Sequence, residues 1–173
     1  LNELTEIALE LGLPKFTGRQ LAEWLYQKDV CHFAEMTNLS KKARALLADQ
    51  TTLGLRAPTK VQTSQDGTKK YLFCTDADKF IETAMIPSDD RVTVCVSSQI
   101  GCKMGCLFCM TGKQGFQGQV SAVEIVNQVR SIAERHQVTN LVYMGMGEPF
   151  DNLDEVLKSI EIFTSDWGFA MSP

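Results

Sequence analysis

Residues 92–109 read VTVCVSSQIGCKMGCLFC, a strand pattern that runs directly into a cysteine-rich loop. From Val92 to Ser97, valine alternates with small or polar residues, which is the two-residue period of a β-strand with one buried face. The loop then spaces its thiols as C-x₃-C-x₂-C, at Cys102, Cys106 and Cys109. The sequence therefore predicts a strand that leads three thiols into one loop.

The same two-residue period extends upstream of this strand. The stretches 60–65 and 68–73 flank Asp66-Gly67, which is a strong signal for a tight hairpin turn. A further alternating stretch covers 80–86 before the chain turns into 91–97. We therefore expect four strands in an antiparallel meander.

Downstream of the cysteines the pattern changes to helices and one apolar strand. Ser121 is a capping residue for a helix that we expect to run to about His136, and another helix begins near Asn152. Between them lie a strand over 139–144 and the loop 145–149. The predicted buried faces are Val123, Val126, Val129 (or Ile125) and Ile132 on the first helix, and Leu153, Val156, Leu157 and Ile160 on the second.

This order of elements predicts an α/β fold that contains a parallel sheet. Strand, loop and helix occur twice in succession, which is the beginning of a (β/α) barrel, and two such units cannot close one. Residues 59–173 are therefore predicted to form a β-meander followed by the first βα units of a truncated partial barrel.

Residues 1–58 are predicted to form a separate small helical domain with an accessory role. Apolar residues recur at helical spacing before Gly12 and Pro14 end the first helix. Thr17 is the predicted cap of the second helix and Ser40 that of the third. The composition of this region does not indicate its function.

Composition excludes several classes of protein. Of 173 residues, 44% are hydrophobic and 22% charged, which excludes a disordered or fibrous chain. The net charge of −4 excludes a polycation that coats nucleic acid. We expect a cytoplasmic protein without a membrane segment, since no apolar run approaches the roughly 18 residues of a membrane helix. The chain starts at Leu1 rather than Met, so we expect a piece of a longer protein.

The cysteine cluster favours metal binding over disulfides, because the chain resembles no small secreted scaffold. Zinc sites normally take two separated cysteine pairs, whereas iron–sulfur clusters are held by thiolates. Three thiolates on a four-iron cube would leave one iron open to an outside ligand. An open-site cluster is the favoured interpretation, with zinc and inert packing as alternatives. Cys31 and Cys74 lie outside the loop and are predicted to pack.

The loop resembles that of radical S-adenosylmethionine (SAM) enzymes, C-x₃-C-x-aromatic-C, with Phe108 as the aromatic residue. The string from Cys95 to Cys102, the pair Gly115-Phe116 and the loop Gly145-Met146-Gly147-Glu148-Pro149 are similar to those of the RlmN/Cfr group of RNA adenine methyltransferases. They are closer to the RlmN side of that group. The resemblance covers the whole chain and identifies the predicted barrel as a radical SAM barrel.

The resemblance implies two cofactors and the residues that bind them. Cys102, Cys106 and Cys109 would hold a [4Fe–4S] cluster, with the amino and carboxylate groups of SAM on the fourth iron. Gly147 and Glu148 would contact SAM. The position of this loop after a strand agrees with the general rule that ligands of α/β barrels bind at the carboxyl ends of strands.

The resemblance also implies the reaction, methylation of carbon 2 of adenine in large-subunit rRNA and in tRNA. In that family a methyl group moves onto a cysteine near the C-terminus, is activated by a radical derived from SAM, and adds to the base. The cysteine that matches Cys95 then resolves the protein–RNA adduct by forming a disulfide, and Glu82 matches a proposed proton acceptor. From the residues alone, Cys95 also fits a small core residue and Glu82 a solvated carboxylate. The methyl-carrying cysteine would lie beyond Pro173, so we expect this chain alone not to turn over.

The implied partners are rRNA, tRNA and an electron donor such as a flavodoxin or ferredoxin system, with a monomer as the expected state. Lys60, Lys69 and Lys70 form a small basic spot that could meet phosphates. Two alternatives stay open at this point. One is a Cfr-like enzyme that methylates carbon 8 of adenine, and the other is a non-catalytic, zinc-bearing RNA-binding module.

Overall fold

The computed structural model describes residues 1–172, which form two compact units. One unit comprises residues 1–55 with the segment from Glu161 onward, and the other comprises residues 56–160. The functional division at 58/59 stays a prediction. Within the described residues, no helix has both the length and the apolar composition that a membrane crossing requires.

In chain order the α-helices and strands are α1 (Asn2–Glu10), α2 (Thr17–Ala22), α3 (Lys41–Gln50), β1 (Lys60–Thr63), β2 (Lys69–Cys74), β3 (Phe80–Pro87), β4 (Val92–Cys95), β5 (Gln99–Ile100), α4 (Met110–Lys113), β6 (Gly118–Gln119), α5 (Ala122–Arg130), β7 (Asn140–Val142) and α6 (Leu153–Thr164).

The first unit is built on helices around a shared apolar core. Trp24, Met36 and Leu47 are buried together there, and they come from three different segments of the chain. Ser40 caps α3 as predicted, because its hydroxyl oxygen accepts a hydrogen bond from the backbone N–H of Ala43 at 3.1 Å. The three-helix prediction is therefore correct in outline.

Two predictions for this unit are wrong in detail. Thr17 is the first residue of α2 rather than its cap, because Phe16 before it already has helical backbone angles (φ −65°, ψ −15°). The helix then continues as a π-helical turn over Glu23–Gln27. Cys31 is exposed rather than packed, and Cys74 in the other unit is only half-buried.

The second unit contains a five-stranded sheet in the order β1-β2-β3-β4-β7. The first four strands form the predicted antiparallel meander, and β7 adds to β4 in parallel. The predicted turn is present: Gly67 has a φ of +84°, and the carboxylate of Asp66 accepts a hydrogen bond from the N–H of Thr68 at 3.0 Å. Short strands β5 and β6 pair separately.

Helix α5 begins at the predicted cap. The hydroxyl of Ser121 accepts from the N–H of Glu124 at 3.3 Å, and the Glu124 carboxylate accepts from the N–H of Ser121 at 2.9 Å. The helix ends at Arg130, earlier than predicted. Val123 is 58% exposed, so it does not belong to the buried face, whereas Ile125 is fully buried.

Helix α6 buries a different face from the predicted one. It carries apolar residues on two sides, so periodicity alone cannot decide which side packs. Ser159 is fully buried in the middle of the packed side, where its hydroxyl lies 2.6 Å from that of Tyr143. The predicted Val156 is buried, together with Ile162 and Phe163, whereas Leu153, Leu157 and Ile160 are exposed.

Candidate active site

The carboxyl ends of β4 and β7 meet at one edge of the sheet because the two strands are parallel. Residues 96–99 leave β4 at this edge, and residues 145–148 follow β7. The N–H of Gly145 donates to the carbonyl of Val96 at 3.1 Å, and the N–H of Ser98 donates to the carbonyl of Met146 at 2.9 Å. We call these two hydrogen-bonded segments, 96–99 and 145–148, the junction.

Glycine is required at two positions of the junction. Gly147 has a φ of +102°, and a Cβ there would lie 2.5 Å from the Cβ of Gln99. A Cβ on Gly145 would lie 2.7 Å from the hydroxyl oxygen of Ser97. This close approach lets the N–H of Glu148 reach the side-chain oxygen of Gln99 at 2.9 Å. The glycine–acid loop is therefore held directly against the end of β4.

Glu148 is half-buried at the end of this loop. Its carboxylate oxygen Oε1 accepts a hydrogen bond from the N–H of Phe150 at 3.1 Å and thereby caps the 3₁₀ turn Pro149–Asn152. The capping bond holds the carboxylate beside the junction. Capping accounts for one carboxylate oxygen and does not by itself indicate a ligand.

The three predicted ligand cysteines share a loop but do not converge. Cys102 is buried, and its sulfur accepts a hydrogen bond from the N–H of Met104 at 3.4 Å. Cys106 is exposed and Cys109 is half-buried. Among residues 1–172, no three Cys, His, Asp or Glu side chains are placed together as a metal site would require. The structure thus brings these thiols into one loop and not to one point.

The cysteine loop combines a polarised thiol with exposed apolar side chains. The backbone N–H of Gly112 lowers the pKa of the Cys109 thiol, with Thr111 contributing to the same effect, and together they outweigh the opposing effect of burial. Leu107 is 92% and Phe108 91% exposed, so packing of these side chains does little to hold the loop in place. A thiol that ionises easily in a loosely packed loop is suited to metal binding.

Cys95 is the last residue of β4, paired with Ala84 of β3 on one side and Val142 of β7 on the other. Val94 and Val96 are fully buried on the opposite face, as the alternation predicts. Burial raises the pKa of the Cys95 thiol, partly opposed by a hydrogen bond from the N–H of Met144. The thiol is therefore kept protonated at neutral pH on the half-buried face.

Glu82 lies on the same face of the sheet as Cys95. Directly paired residues share a face, as do alternate residues of one strand, so the pairing of Ala84 with Cys95 places Glu82 there too. The Glu82 side chain is 46% exposed, and its carboxylate forms an ion pair with Lys70 at 2.9 Å. Lys69 also forms an ion pair, with Glu134. Two of the three lysines of the predicted basic spot therefore have their charge balanced by a neighbouring carboxylate.

Two family models match separate parts of the chain. The family model "Ribosomal RNA large subunit methyltransferase N-terminal domain" matches residues 1–53, and that of the "Radical SAM superfamily" matches residues 96–171. A protein of Porphyromonas gingivalis named "Probable dual-specificity RNA methyltransferase RlmN" is 57% identical over all of this chain and 51% of its own length. The chain belongs to the RlmN-like radical SAM family. The "Dual-specificity RNA methyltransferase RlmN" of Geobacter sulfurreducens is 41% identical over 99% of this chain and 48% of its own length.

The fold of the RlmN-like chain is also found in a solved structure. The crystal structure of a radical SAM methyltransferase from Sphaerobacter thermophilus superposes with a TM-score of 0.89 at 37% identity. The match covers 99% of this chain and 52% of that one. The chain thus spans about half the length of the relatives it matches, and the prediction of an RlmN-like α/β fold is confirmed.

Membership of the RlmN-like family implies a [4Fe–4S] cluster and SAM, and the residues present fit both in their chemistry. All three cysteines of the loop are free thiols, the ligand that iron–sulfur clusters take. The glycine–acid loop offers a half-buried carboxylate to a cationic ligand.

Sequence reasoning missed the contacts that fasten the RlmN-like site together. Lys103, inside the cysteine loop, forms an ion pair with Asp151 at 3.3 Å and lies over the ring of Phe116. Asn152 donates from its side chain to the carbonyls of Ser98 and Val120, both at 2.8 Å. The available signal was a set of polar residues within otherwise apolar stretches, which gives no indication of their partners.

Proposed function

We propose that this chain is the N-terminal half of an enzyme that transfers a methyl group from SAM to carbon 2 of adenine in large-subunit rRNA and in tRNA. The observation that carries the proposal is the shared sheet edge. A loop with three free thiols follows the end of β4, and a glycine–acid loop joined to it by hydrogen bonds follows the parallel strand β7. The names of the relatives support the RNA substrate.

Cys102, Cys106 and Cys109 are proposed to hold the [4Fe–4S] cluster, and Gly147 and Glu148 to contact SAM. When bound, the cluster would supply the electron for reductive cleavage of SAM. The absence of a side chain at Gly147 lets the loop pack directly against Gln99, which holds Glu148 at the sheet edge. Glu148 Oε1 is engaged in capping, so Oε2 is the oxygen assigned to the amino group of SAM.

Cys95 is proposed as the thiol that releases the product. Its sulfur attacks the sulfur of the methyl-carrying cysteine, so that an S–S bond forms and the S–C bond to the modified base breaks. The electron pair leaves with the carbon on the base, and that carbon takes up a proton to become the methyl group. Because burial raises the pKa of Cys95, the thiol must lose its proton before it attacks. A thiol that stays protonated until then does not react with other electrophiles.

Glu82 is proposed as the acceptor of the proton from carbon 2 of adenine. It shares the half-buried face of the sheet with Cys95. Its carboxylate lies 2.9 Å from the side-chain nitrogen of Lys70.

The remaining partners are part of the same proposal. We assign the enzyme to the cytoplasm as a monomer, with a flavodoxin or ferredoxin system as the electron donor. An electron donor is required because reductive cleavage of SAM consumes an electron that no residue of this chain supplies.

Anaerobic reconstitution of the full-length protein with iron and sulfide tests the cofactor assignment. We expect about four irons per chain and an electron paramagnetic resonance signal that changes when SAM is added. Replacing Cys102, Cys106 or Cys109 with alanine should abolish the signal. Cys31→Ala is the matched control, because Cys31 is an exposed thiol outside the loop. Zinc in place of iron would overturn the proposal in favour of a zinc-bearing RNA-binding module.

Mass spectrometry of methyl-free RNA after reaction tests the chemistry. With reductant and SAM, the reconstituted enzyme should produce 2-methyladenosine. A product that matches the 8-methyladenosine standard would show a Cfr-like enzyme instead. Cys95→Ala should accumulate RNA covalently bound to protein, and an unchanged yield of free product in that variant would remove Cys95 from the mechanism.

A further inference from the structure

The segment that leaves β4 is polar and completely buried. Ser97 and Gln99 have no exposed surface, and Ser98 is 2% exposed. Burial of polar groups is costly unless each finds a hydrogen-bond partner. The partners of Ser97 therefore show what holds this segment, and hence the junction, in position.

Gln128 of α5 holds the backbone of Ser97 from one side. Its side-chain oxygen accepts from the N–H of Ser97 at 2.8 Å, and its side-chain nitrogen donates to the carbonyl of Ser97 at 2.9 Å. The same oxygen accepts from the hydroxyl of Thr83 on β3 at 2.7 Å. Gln128 is fully buried, so water cannot replace these hydrogen bonds.

The hydroxyl of Ser97 connects β3 with the junction. It donates to the carbonyl of Glu82 on β3 at 2.5 Å and accepts from the N–H of Met146 in the junction at 2.9 Å. One side chain thus fixes the backbone of the proposed proton acceptor to that of the proposed SAM loop. Cys95 lies two residues before this point along the chain, at the end of β4.

We propose that Gln128 and Ser97 are positioning residues, which set the proposed SAM loop, Glu82 and Cys95 in register with one another. The inference rests on the proposed function, because Gln128 and Ser97 have a positioning role only if the SAM loop, Glu82 and Cys95 act together. Neither residue needs to touch substrate or cofactor. Each acts through the backbone that it holds.

Asn127, the neighbour of Gln128, provides a matched control. Its side-chain oxygen accepts from the N–H of Arg56 at 2.8 Å and from the hydroxyl of Ser131 at 2.7 Å, and its nitrogen donates to the carbonyl of Arg56 at 3.0 Å. It thus makes the same set of bonds to a backbone segment that takes no part in the junction. Gln128→Met and Asn127→Leu each remove one such set while keeping most of the volume.

Hydrogen exchange in the full-length protein, measured before any cofactor is added, gives a readout independent of activity. We expect the amides of 145–148 to exchange about tenfold faster in Gln128→Met and in Ser97→Ala, since each variant removes buried hydrogen bonds that hold the junction. In Asn127→Leu these amides should stay within about twofold of wild type, even though this variant also loses buried hydrogen bonds. Equal exchange in the Gln128 and Asn127 variants would overturn the proposal.

Ser97→Ala keeps the proposal testable if Gln128→Met fails to fold, because it deletes one hydroxyl only. Unchanged exchange over 145–148 in a folded Ser97→Ala protein would overturn the proposal. The dissociation constant of SAM, measured on reconstituted enzyme, should rise several-fold in Ser97→Ala and not in Asn127→Leu. If wild-type enzyme binds neither cluster nor SAM, the proposed function fails, while the exchange result still decides whether the junction is held in this way.

Discussion

Replacing Gly147 with alanine should lower the stability of the fold for two reasons, backbone strain and overpacking. A positive φ costs a residue with a Cβ about 1–2 kcal/mol, and Gly147 has a φ of +102°. The added Cβ would also lie 2.5 Å from the Cβ of Gln99 and 2.7 Å from its backbone nitrogen, neither of which can swing away. Overpacking of this kind costs about 1–3 kcal/mol. We therefore expect Gly147→Ala to lower the free energy of unfolding by about 2–5 kcal/mol.

Two other glycines separate the two costs experimentally. Gly115 has a φ of +72° and open space around its Cβ position, so Gly115→Ala should show the backbone cost alone, about 1–2 kcal/mol. Gly105 has open space and no positive φ, so Gly105→Ala should stay within about 0.5 kcal/mol of wild type. The reasoning is refuted if Gly147→Ala and Gly115→Ala lose the same stability.

The assay is urea unfolding followed by far-ultraviolet circular dichroism, which reports on the whole chain. Tryptophan fluorescence would be the wrong probe. Trp24 and Trp167 are the two tryptophans of the chain, and both lie in the unit that does not contain Gly147.

Two further predictions concern ionisation. Cys109 should react with iodoacetamide faster than Cys95 at pH 7 in cofactor-free protein. The N–H of Gly112 lowers the pKa of the Cys109 thiol, whereas burial raises the pKa of the Cys95 thiol. Equal reaction rates of the two thiols, measured by mass spectrometry, would contradict this. Burial acts to raise the pKa of Glu134, but hydrogen bonds from Lys69 and Tyr71 outweigh it and the pKa is lowered. A lowered pKa of Glu134 stabilises the fold at pH values above the ordinary pKa of glutamate. The loss of unfolding free energy in Glu134→Gln, which we call the stability deficit, should therefore be full at pH 7 and shrink as the pH falls below the ordinary pKa of glutamate. A deficit that urea titrations find constant over this range would disprove the coupling.

Signals within a few residues of each other predicted the local structure well. Ser40 and Ser121 cap helices where the sequence places them, because a cap needs only its own hydroxyl and an N–H three residues later. Asp66-Gly67 forms its turn for a similar reason, since glycine supplies the positive φ. No distant residue is needed for any of these.

Predictions that depend on distant partners were less accurate. Val123 and Leu157 are apolar residues at helical spacing, yet both are exposed, since the face that packs is chosen by the neighbouring elements. The contacts of Gln128 with Ser97 and Thr83 span 31 and 45 residues. A single sequence shows that Gln128 is a polar residue on an apolar helix face. It does not show which backbone segment the side chain of Gln128 will bind.

The pairing of β7 with β4 has a consequence for the order in which this fold assembles. The hairpin between β1 and β2 closes over residues 64–68, whereas the connection from β4 to β7 runs over residues 96–139. Because closure entropy grows with the logarithm of loop length, closing 44 residues rather than 5 costs about 2 kcal/mol more. The meander should therefore form early and the β4–β7 pair late. The cysteine loop lies within that long connection, so a nascent chain presents its thiols to iron before the strand that carries the glycine–acid loop has docked.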